Sequence, residues 1–231
     1  MPIVLVGFEK GGSGKTTVAT NLAAMRQNRG FDTVLIDTDS PQLTSTLWAN
    51  VRAENAVENP NIKQVLCITK TGRLAWDVVK VAEKYDTVII DVGGRDSQEL
   101  RYAMAIADVA VMPLRPSQFD SWSVDTMQKI IKEAKEATQQ ERPFDANRYK
   151  LLINAVNPNP MMKEHEEVRE LLRDYTDYMV TLPFVLYDRV SIRRASRDGL
   201  SVTELPSGSA DHRASEEFEM LYREVFGNDN Q

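Results

Sequence analysis

The sequence predicts an α/β fold in which a mostly parallel, twisted sheet carries helices on both faces. Three observations predict it. Short β-branched runs alternate with longer segments of helical period along the 231 residues. The short runs are apolar throughout, the pattern of strands covered on both sides. Strand, helix and strand in repeated order call for right-handed crossovers, which lay successive strands parallel. In such a sheet a ligand sits off the carboxyl ends of the strands, so the chemistry belongs in the loops that follow them.

Along the chain, Ile3–Phe8 reads as the first strand and Thr16–Gln27 as the helix after it, with apolar residues at i, i+3 and i+4 spacing. Thr33–Ile36 is the second strand. Asn50–Asn61, rich in Asn and Glu, reads as a loop. Gly72–Lys84 has helical period, Thr87–Ile90 is a strand, and Gln98–Ala107 is a helix. Val109–Pro113 and Tyr149–Ile153 are further strands, separated by the long helix Ser121–Thr138 and a loop at Gln139–Asn147 that contains Pro143. Leu205–Ala210 breaks the pattern before a terminal helix at about 212–226. Trp48, Trp76 and Trp122 are read as core or helix-packing residues, and His165, among three glutamates, as part of a solvated helix face. With no repeat or linker, residues 1–231 are expected to form a single domain.

Composition narrows the class. With 42% apolar and 27% charged residues the chain is an ordinary globular one. Its single cysteine, Cys67, excludes a disulfide scaffold and any cluster held by several of its own thiolates, and it suits a reducing cytoplasm. No apolar run reaches the ~20 residues that cross a bilayer, and the start has no basic leader. The 34 acidic against 28 basic residues, a net charge of −6, argue against a surface that coats nucleic acid but leave room for one basic patch.

The first strand runs directly into Lys10-Gly11-Gly12-Ser13-Gly14-Lys15-Thr16-Thr17 and then a helix. Three glycines let backbone N–H groups curl around an anion, and the helix start aims its dipole at the same point. Lys15 would reach the β- and γ-phosphates, and the Thr16 hydroxyl would ligate Mg²⁺. The second strand ends in Asp37-Thr38-Asp39-Ser40-Pro41-Gln42, where two carboxylates two residues apart on extended chain point the same way, towards a metal ion or the attacking water. Thr87–Ile90 ends in Asp91, the pattern of a carboxylate that holds Mg²⁺ through its water shell, and Gly93-Gly94 behind it reads as a mobile switch loop.

The usual phosphate loop has a glycine where this chain has Glu9, and Lys10 stands beside the glycines instead. That placement resembles the deviant Walker A loop of the ParA/MinD family of ATPases, and the likeness runs from Pro2 to about Glu204, most of the chain. The resemblance implies a P-loop NTPase fold, ATP and Mg²⁺ as cofactors, and a homodimer formed with ATP in which Lys10 touches the phosphates of the other subunit. It implies a hydrolytic role for Asp39, although Ser40 interrupts the family's Asp-x-Asp-Pro-Gln string here. It also implies that Asn154, after Leu151-Leu152-Ile153, reads the adenine edge and that Pro183, in Leu182-Pro183-Phe184, packs near the base. The nucleotide contacts are thus Gly11, Gly12, Ser13, Gly14, Lys15, Thr16, Thr17, Asn154 and Pro183. The catalytic set is Lys10, Lys15 and Asp39, and the metal set Thr16, Asp39 and Asp91.

Within the family the output differs, and Asp188–Gly199 is the informative stretch. Arg189, Arg193 and Arg197 recur at i, i+4 and i+8, on one face of a helix that Gly199 would end, with Arg194 beside them. Small DNA-partitioning ATPases resemble this segment, and the resemblance implies contact with the phosphates of non-specific double-stranded DNA. The amphipathic tail is acidic, unlike a membrane-binding helix. The expectation is a cytoplasmic, nucleoid-associated ATPase of the ParA type, with slow turnover stimulated by a ParB-like or other adaptor and no membrane contact. A MinD-like membrane-positioning ATPase and a metabolic P-loop enzyme are the alternatives.

Overall fold

The computed structural model describes residues 1–72, 74–119, 121–138 and 143–227. Its sheet has seven strands: β1 (Ile3–Val6), β2 (Thr33–Asp37), β3 (Leu66–Thr69), β4 (Thr87–Asp91), β5 (Val109–Leu114), β6 (Tyr149–Val156) and β7 (Val180–Tyr187). The order is β3-β2-β4-β1-β5-β6-β7 and every pairing is parallel. The helices are α1 (Lys15–Asn28), α2 (Thr44–Glu58), α3 (Ala75–Ala82), α4 (Gln98–Ile106), α5 (Ser121–Thr138), α6 (Glu164–Leu171), α7 (Val190–Arg197) and α8 (His212–Phe226).

The central strands are buried along their length because alternate residues feed opposite apolar layers. Leu5 and Ile90 join Val78, Leu100, Met127 and Ile131 from α3, α4 and α5. Val4, Val6 and Ile89 join Val18, Leu22, Trp48, Ile192 and Phe218 from α1, α2, α7 and α8. The strand ends, and the loops beyond them, therefore lie between two fixed layers.

Four readings of the sequence need correction. Asn50–Asn61 is not a loop, because α2 runs to Glu58. Its polar residues are used in tertiary contacts. Arg52, fully buried, donates to the Lys63 and Gly199 carbonyls and to both oxygens of Glu204, and Asn55 donates to the Asp198 carbonyl. Gly199, at φ 65°, permits that approach, since a Cβ there would stand 2.5 Å from the Arg52 nitrogen. Trp76 and Trp122 are 71% and 81% exposed. Each lies two residues before an inward apolar residue, Val78 or Val124, and two helical residues are about 200° apart. Only Trp48 is core. His165 is half-buried, edge-on to Tyr187 at 6.4 Å, and so not on a solvated face. Finally, β3 and β7 form the two sheet edges and carry too little buried apolar sequence to read as strands. Of the expected loop at 139–147, residues 139–142 lie outside the described ones.

Candidate nucleotide-binding site

The loop after β1 is shaped by its glycines. Gly12 and Gly14 adopt φ 74° and 92°, left-handed values that cost any other residue conformational energy. Gly14 caps α1 with no side-chain hydrogen bond, so the N–H groups of the first turn, at Lys15, Thr16 and Thr17, meet no competing side chain there. The Ser13 hydroxyl is buried and has no partner among the described residues. Lys15 is 7% exposed and donates from Nζ to the Lys10 carbonyl at 2.7 Å. Burial lowers its pKa, and the nearby charges of Asp91 and Asp39 oppose that shift. A buried cation, an orphaned hydroxyl and an uncapped helix start make a cradle for an anion. A phosphate fits it.

Across the loop stands Asp91, at the end of β4 and 1% exposed. Burial raises its pKa to about 7, and the nearby Ser45 and Thr16 hydroxyls oppose that shift. Ser45 Oγ donates to Oδ2 at 2.7 Å, while Oδ1 is buried with no partner among the described residues. An unpaired, buried carboxylate oxygen beside a threonine hydroxyl suits a hard divalent cation. Ser45 was not visible as a site residue, because a lone serine in the first turn of a helix carries no distinguishing pattern.

Asp37 and Asp39 do not face the same way, contrary to the expectation from extended chain. Asp37 is fully buried, and its Oδ2 accepts from Thr46 N and Oγ1 at 2.9 and 3.0 Å, while Oδ1 accepts from Asp39 N at 3.1 Å. It anchors the start of α2. Asp39 alone of the pair stays half-exposed, close enough to Lys15 for its charge to be felt there. Gly93 and Gly94 lie close against their neighbours. A Cβ on Gly93 would stand 2.7 Å from Asp39 Oδ1, and one on Gly94 only 2.5 Å from Gly11 Cα. Both are needed for close approach.

Asn154, on β6 and 7% exposed, donates from Nδ2 to the Ser13 carbonyl at 2.7 Å and packs over Gly14. It braces the phosphate loop. Beyond it, at the carboxyl ends of β5, β6 and β7, lies a cavity of about 350 Å³ lined by residues including Arg115, Ser117, Asn157 and Asp188. Pro183 is not brought there. It is exposed in mid-strand on the sheet edge, where the β6–β7 register shifts between Ile153↔Val185 and Leu151↔Thr181.

The basic segment is only partly as expected. Its helix begins at Val190, so Arg189 is an extended residue at the cap and not part of the helical face. It pairs with Glu217 of α8 at 2.5 Å. Arg193, Arg194 and Arg197 are exposed. Arg193 bonds Asp188 and Arg197 bonds Asp198, so the patch is partly neutralised. α8 buries Phe218, Leu221, Tyr222 and Val225 against the sheet layer. Among the described residues no helix is long and apolar enough to cross a membrane.

Known proteins resemble the chain in sequence and in fold. The Protein ParA of Rhizobium radiobacter is 31% identical over 146 residues, 61% of either chain, so the present chain spans about three-fifths of that relative's length. Apo McdA of Cyanothece superposes with a TM-score of 0.73 at 15% identity, covering 97% of this chain and 99% of that one. A Borrelia burgdorferi putative plasmid partition protein bound to AMPPNP gives 0.66 at 17% identity, covering 97% and 99%. At such identities the two structures speak for the fold alone. Residues 3–202 match the CobQ/CobB/MinD/ParA nucleotide binding domain, and the chain belongs to that family.

Proposed function

We propose that this chain is an ATPase that binds Mg²⁺ and ATP, dimerises on ATP, and then holds non-specific double-stranded DNA to position a cargo. The observation that carries the reading is the pairing of an anion cradle with a cation site: the orphaned Ser13 hydroxyl and buried Lys15 on one side, the orphaned Asp91 Oδ1 and Thr16 on the other. A bound Mg²⁺ would supply Lewis-acid charge at the phosphates. Lys15 leaves the Lys10 carbonyl to take up phosphate charge, and Lys10 serves the phosphates of the partner subunit. Thr16 and Asp91 would hold the cation, Asp91 through its carboxylate. Asp39, held by the backbone beside Gly93, orients water.

The base occupies the cavity next to Asn154, between Ser117, Asn157 and Asp188. Exposed Arg193, Arg194 and Arg197 meet DNA phosphates, and an adaptor of the ParB kind accelerates hydrolysis and release. Similarity to Protein ParA and to a plasmid partition protein supports partition as the output. The test is binding to mixed-sequence duplex DNA in ATP and in ADP across a salt series. Tight, salt-sensitive binding in ATP alone is expected. Equal or absent binding in the two nucleotides refutes the DNA reading and leaves the ATPase reading standing.

A further inference from the structure

Asp91 is held by a hydroxyl that the reading of motifs passes over. Ser45 lies in the first turn of α2, fully buried, and donates to Asp91 Oδ2 at 2.7 Å. A carboxylate with both oxygens unbonded can turn about its last torsion. The Ser45 bond fixes that plane and occupies one oxygen, so Oδ1 is the one left unpartnered in the interior.

The helix that carries Ser45 cannot drift. At its start Thr46 is bonded twice to Asp37, and Trp48 is buried beneath it. Further along, Arg52 is fixed to the Gly199 carbonyl and Glu204, and Asn55 to the Asp198 carbonyl at 2.7 Å. A hydroxyl built onto so fixed an element can set geometry to a fraction of an ångström.

We propose that Ser45 is a positioning residue for the divalent cation: its hydrogen bond turns Asp91 so that Oδ1 faces the cation's shell beside Thr16. This rests on the magnesium reading of the preceding section. Partners that orient a metal-binding carboxylate are worth about 10–100-fold in metal affinity.

The test is a calorimetric titration of ATP into the full chain at a series of Mg²⁺ concentrations and in EDTA, for wild type, Ser45→Ala, Ser45→Thr and Thr46→Val. Ser45→Ala is expected to raise the half-effective Mg²⁺ concentration about tenfold or more, with ATP affinity in EDTA unchanged. Ser45→Thr restores the hydroxyl and brings the midpoint back towards wild type. Thr46→Val removes a neighbouring hydroxyl that touches Asp37 but keeps the backbone bond from Thr46 N to Asp37 and the Trp48, Arg52 and Asn55 anchors, and so leaves the midpoint alone. An unchanged midpoint in Ser45→Ala overturns the proposal. So does a loss of ATP affinity that is the same with and without Mg²⁺, or a shift of equal size in Thr46→Val, since either assigns Ser45 to holding the helix. A wild type whose ATP binding ignores Mg²⁺ overturns the underlying magnesium reading, an outcome distinct from the others.

Discussion

Gly94→Ala should weaken ATP binding by about 100-fold without unfolding the protein. The new Cβ would lie 2.5 Å from Gly11 Cα, 2.7 Å from Gly11 N and 3.0 Å from the Lys10 carbonyl carbon. All three are backbone atoms, so no side chain can rotate out of the way. Ordinary contact begins near 3.4 Å, and the phosphate loop must retreat by roughly 1 Å to reach it. The hydrogen bonds a phosphate would receive are about 2.9 Å long and weaken steeply with such a shift. A misplacement of about 1 Å in a positioned group costs on the order of 10²-fold. Gly93→Ala is the internal comparison. Its Cβ meets a side-chain oxygen, Asp39 Oδ1 at 2.7 Å, which can turn aside. That variant should bind ATP near wild-type strength and lose turnover instead. Fluorescence titration with a labelled ATP analogue, alongside thermal melting, measures both. Wild-type ATP affinity in Gly94→Ala would show that the loop yields freely, and the close-packing argument for this glycine pair would fail.

Four further substitutions test other parts of the structure. Lys15→Ala removes the buried cation of the cradle and should abolish detectable ATP binding in the same titration; normal affinity sinks the phosphate-loop assignment. Asp39→Ala should retain ATP binding while phosphate release stops, and unaltered turnover rejects its role with water. Arg52→Ala leaves the half-buried Glu204 without its guanidinium, with only Asn28 and Ser201 still donating to it, which costs about 3 kcal/mol, or on the order of 10 °C in melting temperature for a chain of this size; a drop of less than ~2 °C refutes the account of α2. Asp91 gives a pH dependence in EDTA. Its folded pKa, about 7, is above the 3.8 of the free side chain, so the folded state binds the extra proton. Its contribution to stability is fully present below about pH 4 and is lost as pH rises through 7. Asp91→Asn should therefore melt at increasingly higher temperature than wild type between pH 5 and 8, and a constant gap contradicts the raised pKa.

What the sequence disclosed, and what it withheld, divide along a physical line. The shape of the glycine loop after β1 was legible because its demands are local. Positive φ at Gly12 and Gly14, an uncapped helix start and a lysine at a fixed offset each act on neighbouring residues. The buried central strands were legible for the same reason, since burial on both faces writes itself as an unbroken apolar run. Where a residue's role is set by a distant partner, type and spacing mislead. Arg52 and Asn55 look like loop residues until Glu204 and Asp198, some 140 to 150 positions away, receive their hydrogen bonds. Asp37 and Asp39 share a strand end, yet the start of α2 claims the first and leaves the second to the site. Arg189 and Arg193 share a spacing, yet Glu217 of α8 takes one of them out of the exposed patch. The same division bears on how the site would respond to nucleotide. The glycine loop is shaped by adjacent residues, whereas Asp91 is bonded to Ser45, and so to a helix tied to the end of α7 through Gly199 and Asp198. The loop itself touches Asn154 and Gly94. On the Asp91 side, hydrogen bonds through α2 reach the end of the helix that bears the exposed arginines.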